Sequence, residues 1–145
     1  MSHISRIERE KAYEMADLER MCKMSGGLYQ FVRNQTNYKW FGTWVGNTPM
    51  PEGMTKEKLG KCDHVIKVRG AEYEIGVIEK KKQKAELVWD YWKNGGLPNV
   101  IGENGWKFNQ DYDVFRVKQE CIKRRLRWQE KRLEEGRVEI TVHYN

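Results

Sequence analysis

The chain has 145 residues, with 27 Lys and Arg against 21 Asp and Glu, which gives a net charge of +6. A content of 39% hydrophobic and 12% aromatic residues predicts a packed core and excludes wholesale disorder, and the length suits a single domain over residues 1–145. No apolar run approaches the roughly 20 residues that cross a bilayer, and Met1–Arg6 lacks the apolar stretch of a secretory leader, so a soluble, intracellular protein with no membrane contact is expected.

A short extended start over 3–7 is expected to lead into a helix over about 9–24, where Tyr13, Ala16, Leu18, Met21, Cys22 and Met24 recur at three- and four-residue spacing. Ser25-Gly26-Gly27 stops it, because glycine readily adopts the left-handed cap. Residues 28–33 and 38–45, rich in aromatic and β-branched side chains, read as two strands joined by a hairpin loop at 34–37. Residues 46–61 read as a loop with one helical turn at 55–59. Residues 63–68 and 71–78 are the clearest strands, joined at Arg69-Gly70, with Tyr73, Ile75 and Val77 on one face and Glu72 and Glu74 on the other. After the lysine run 80–84, residues 85–92 suit either a strand or a short helix. Residues 94–105 read as a glycine-rich loop.

The longest helix is expected over 112–135, capped by Asn109 or Asp111 and followed by Gly136, with a final strand over 137–144. The fold class is therefore α+β: a single antiparallel sheet with two main helices, the longer near the C-terminus. On a helical wheel Phe115, Ile122, Leu126 and Leu133 fall within about 20° of one line. Val114, Val117, Cys121 and Trp128 form a second apolar line, which suits a homo-oligomer contact through Trp128 or a loop folded over it.

Residues 116–132 hold eight basic and two acidic residues, a surplus equal to that of the whole chain. Arg116, Lys123, Arg124, Arg127 and Lys131 make the basic face of the expected helix. Such a face is either a solvated surface or an anion site, in which Arg donates to phosphate and Trp128 or Trp106 stacks on a base. Signatures of nucleotide hydrolases, serine hydrolases and zinc proteases are absent. Residues 95–102 resemble a phosphate cradle in composition alone. His3 and His143 would come together if the terminal strands pair, and with Glu139 or Glu74 would form an acid–base group. His64, at the start of a strand, is a further candidate, although no nucleophile accompanies any of the three. Cys22, Cys62 and Cys121 are odd in number and widely spaced, as expected of reduced thiols. Cys62-Asp63-His64 lacks the companions of a zinc site, so neither a metal nor a cofactor is expected.

Ser2-His3-x-Ser5, Asp63-His64-Val65-Ile66-Lys67, Tyr73-Glu74-Ile75-Gly76 and Glu86-Leu87-Val88-Trp89-Asp90-Tyr91-Trp92 occur in this order, ahead of a long helix and a final strand. The order resembles the uncharacterised family of the hypothetical chloroplast open reading frame thirty-five, over residues 2–8 and about 62–126. The chain departs from it in an insertion-like stretch at 34–60, in a helix that runs to Arg137 where the family has an extra strand, and in its basic charge. The resemblance implies an accessory protein of the cytoplasm or plastid stroma, sometimes encoded beside an AAA+ ATPase, and carries over no catalytic residues. The leading expectation is a non-enzymatic binding protein for a nucleotide or single-stranded nucleic acid. The alternative is an adaptor that holds a protein partner through the second apolar stripe and the glycine-rich loop.

Overall fold

Apolar alternation sets the main sheet, and the helices cover one of its faces. The computed structural model describes residues 3–42 and 55–144. Six strands form an antiparallel sheet: β1 (Ile4–Arg6), β2 (Tyr13–Glu14), β3 (Tyr29–Val32), β4 (His64–Val68), β5 (Ile75–Lys80) and β6 (Lys84–Asp90). Their order is β1-β6-β5-β4-β3, and β2 pairs with β6 through Tyr13 opposite Ala85. Ile66, Val68, Ile75, Val77, Leu87 and Trp89 face a core completed by α1 (Met15–Lys23), α2 (Leu97–Ile101) and α3 (Trp106–Arg124). On the opposite face Val65 and Val88 pack under the ring of Tyr38. Gly76 lies beneath that ring, and a Cβ there would collide with it. The fold is α+β, as expected, with a second, two-stranded sheet of β7 (Arg127–Arg132) and β8 (Val138–His143) beside the main one.

Helix α1 begins at Met15, later than expected, because Tyr13 and Glu14 pair as a strand with β6. Leu18, Met21 and Cys22 point into the core at the expected spacing. The helix ends where the Ser25 hydroxyl donates to the Cys22 carbonyl (2.7 Å) and accepts from the Tyr29 N–H (3.0 Å). β3 pairs with β4, Tyr29 opposite Val68, so the hairpin expected between 28–33 and 38–45 does not form over the described residues. Residues 38–42 cross the back of the sheet instead, and 43–45 lie outside the described residues, as does most of the loop expected at 46–61. The single helical turn expected near 55–59 is a 3-10 turn at Lys56–Lys58.

The Arg69-Gly70 turn is present, with Gly70 at φ 90°. The strand expected from Ala71 starts only at Ile75, because the Glu72 and Tyr73 N–H groups donate to the Gly95 carbonyl at 2.9 and 3.0 Å. The stretch expected at 85–92 is strand β6 over Lys84–Asp90, and Tyr91 and Trp92 lie beyond it. Residues 94–105, expected as an open loop, hold the short helix α2, whose Leu97 and Ile101 are fully buried in the core.

Candidate nucleic-acid interface

The expected 112–135 helix is two elements. Helix α3 starts early, at Trp106, with Gly105 rather than Asn109 or Asp111 as its N-cap, and buries Phe108, Tyr112, Phe115 and Cys121. It stops at Arg125, which takes the left-handed conformation at φ 56°. The Leu126 N–H then donates to the Cys121 carbonyl (2.8 Å) and the Arg125 N–H to the Ile122 carbonyl (3.2 Å), closing the helix with the two bonds of a Schellman cap. The chain turns back along α3 as β7, crosses a turn at 133–137 and returns as β8. Gln110 fixes this turn on the helix: its Nε2 donates to the Gly136 carbonyl, and its Oε1 accepts from the Val138 N–H, each at 2.9 Å.

This architecture corrects the wheel. Phe115 is buried, but Ile122 and Leu133 are exposed, so they do not continue its stripe onto the sheet. Trp128, Arg127 and Lys131 belong to a β-ribbon, and the basic surface is not one helix face. Trp128 faces inward with Val138, Ile140 and Val142, all half-buried, while Arg127, Gln129 and Lys131 alternate outward. Opposite these three stand His143, Thr141 and Glu139.

Charge pairing divides the basic residues. Arg116 meets Asp17 at 3.2 Å and Lys118 meets Glu130 at 2.8 Å. The Lys118 ammonium holds the Glu130 carboxyl below the usual range. Arg9, Arg33 and Lys84 also have carboxylate partners, Asp113, Glu19 and Glu14. Lys123, Arg124, Arg125, Arg127, Lys131 and Arg132 are exposed and form no ion pair among the described residues. Lys123 and Arg124 lie in the last turn of α3 and Arg125 caps it, where cations also complement the helix dipole. Arg124 lies 5.8 Å from the ring centroid of Tyr144, which is 71% exposed.

The two tryptophans do not share this corner. Trp106 begins α3 at the far end of the ribbon, with the Arg137 guanidinium 4.6 Å from its ring and Gly102 packed against its edge. Trp128 lines a groove with Met24, Phe115 and Ile122. No protein-family model, curated protein or solved structure matches this chain. The structure places Arg125, Arg132 and Tyr144 beside the expected set. The signal for them was the final strand itself, which needed a neighbour that the turn residues Glu135 and Gly136 supply at positive φ.

The other candidates resolve into structural roles. His3 and His143 sit on different sheets and do not pair. His3 stacks on Tyr91, with ring centroids 5.1 Å apart, and its backbone N–H donates to the buried carboxylate of Asp90 at 2.9 Å. Nδ1 of the buried His64 accepts the Asn34 N–H at 2.9 Å, so Nε2 carries the proton toward Glu79 and no free nitrogen faces a substrate. Glu74 accepts the Lys39 N–H at 2.8 Å. In the Cys62-Asp63-His64 stretch the Cys62 thiol donates to the Gln35 carbonyl at 3.3 Å and Asp63 accepts the Glu79 N–H at 2.7 Å. No group of three or more His, Cys, Asp or Glu residues suited to a metal occurs among the described residues. In the expected phosphate cradle, Gly95 packs under Tyr73, where a Cβ would strike the ring.

Proposed function

We propose that the protein binds nucleic acid through the end of α3 and the β7–β8 ribbon. The observation that carries this reading is that the net charge surplus falls on residues 116–132, where Lys123, Arg124, Arg125, Arg127 and Lys131 are exposed and form no ion pair among the described residues. Exposed guanidinium and ammonium groups clustered at the end of α3 and along β7 attract phosphate and release its counterions on contact. The proposed family kinship covers residues 2–8 and about 62–126, which include the end of α3 but not the β7–β8 ribbon.

Native mass spectrometry of protein purified from its host tests the reading. Nucleic acid should co-purify at low ionic strength and leave at about 0.5 M salt, where the Debye length is only about 4 Å. Charge reversal at Arg124 and Arg127 should abolish the association without unfolding the chain. Apo protein at both ionic strengths would sink the proposal.

One observation favours a second reading, a protein partner. The groove between α1, α3 and β7 has a volume of about 470 Å³ and exposes Met24 (63%) and Ile122 (58%) beside Trp128. A Trp128→Ala variant that keeps every bound partner and its oligomeric state would remove it.

A further inference from the structure

The two sides of the β7–β8 ribbon differ in chemistry. Its inner side is apolar apart from Glu130 and Arg132 and rests on α3, whereas its outer side presents Arg127 opposite His143, Gln129 opposite Thr141 and Lys131 opposite Glu139, all exposed. Strands of six residues extend about 20 Å, with the two chains about 4.8 Å apart. The major groove of B-form DNA is about 12 Å wide and admits a two-stranded ribbon. Neither ribbon edge is paired to a further strand among the described residues.

We infer that the outer face of this ribbon docks in the major groove of double-stranded DNA, with Lys123, Arg124 and Arg125 on the flanking phosphates. The inference rests on the nucleic-acid reading above and narrows it to one class of ligand. Three observations separate a duplex from a single strand. Splayed bases need aromatic platforms, and among the described residues the outer face offers only the His143 imidazole, with the Tyr144 ring beyond the end of β8 already held against Arg124. Trp128 is turned toward α3 and Trp106 is covered by Arg137, so neither tryptophan supplies one. Gln129, Thr141 and Arg127 are the amide, hydroxyl and guanidinium groups that read base edges across a groove. The acidic residues fix the orientation. Glu134 and Glu135 occupy the ribbon's tip, so entry tip-first would set carboxylates against phosphate. The ribbon therefore lies along the groove by its face, basic end toward the backbone. Glu139 is the one acidic side chain on that face.

Fluorescence anisotropy of the full chain against three probes tests this: a DNA duplex of about 20 base pairs, the RNA duplex of the same sequence, and the single DNA strand, all at one salt concentration. The narrow major groove of A-form RNA excludes a ribbon, so the DNA duplex should bind at least about tenfold more tightly than either other probe. The Gln129→Ala, Thr141→Ala double variant should weaken duplex binding several-fold and leave its salt dependence unchanged, because neither residue carries charge. Glu139→Gln should strengthen it. Equal binding of all three probes, or a preference for the single strand, would overturn the groove inference and leave the nucleic-acid reading standing. Binding to none of them would overturn both.

Discussion

The Cys22 thiol, buried under α1, is pushed up to about 12 by loss of hydration, and the half-buried Cys62 thiol to about 11 for the same reason. Burial also pushes the Tyr38 phenol up to about 12 and raises Tyr13, Tyr29 and Tyr112, with Asp111 adding to the rise at Tyr29 through a 2.6 Å hydrogen bond. In each case the folded value lies above the ordinary one, 9.0 for the thiols and 10.0 for the phenols. The folded state thus favours the neutral form. The stability these groups contribute is complete below their ordinary values and is lost as pH rises through the folded ones. The urea midpoint should therefore fall steeply between about pH 9 and pH 12. A midpoint unchanged to pH 12 would show that these rings and thiols are hydrated.

At the scale of elements, Arg125 separates helix from ribbon. A non-glycine residue in the left-handed region costs about 1 kcal/mol, which glycine avoids. Arg125→Gly should accordingly raise stability to chemical denaturation by up to about 1 kcal/mol. Inside a continuous helix the same change would cost about 1 kcal/mol, so the sign of the effect distinguishes the two architectures. The stop was hard to read in the sequence because residues 126–133 contain neither glycine nor proline and are rich in good helix formers. Pairing with β8 overrides that preference. Elements fixed by local pattern were legible: the inward positions Leu18, Met21 and Cys22 of α1 and the alternation of β8, whereas β5 begins only at Ile75 and is buried on both faces at its start. Elements fixed by distant partners were not. β2 exists because Tyr13 meets Ala85, and α2 forms where Leu97 and Ile101 find the core from within a glycine-rich stretch. Of the expected site, Lys123, Arg124, Arg127 and Lys131 are exposed, whereas Arg116 is paired with Asp17, a partner that charge counting does not reveal. The tryptophans were misplaced, because their roles depend on which way the ribbon faces.

For the molecule as a whole, the net charge surplus of +6 falls on residues 116–132, at the end of α3 and along β7, where five exposed cations form no ion pair among the described residues. No helix among the described residues is long and apolar enough to cross a membrane. The most direct test of this account is the salt dependence of duplex DNA binding by the full chain. If Lys123, Arg124, Arg125, Arg127 and Lys131 each displace a counterion, the logarithm of affinity should fall against the logarithm of salt concentration with a slope of about −4 to −5. Replacing Arg124 and Arg125 by Gln should reduce that slope by about 2. A slope that the double variant leaves unchanged, or no binding at low salt, would contradict the assignment of this surface.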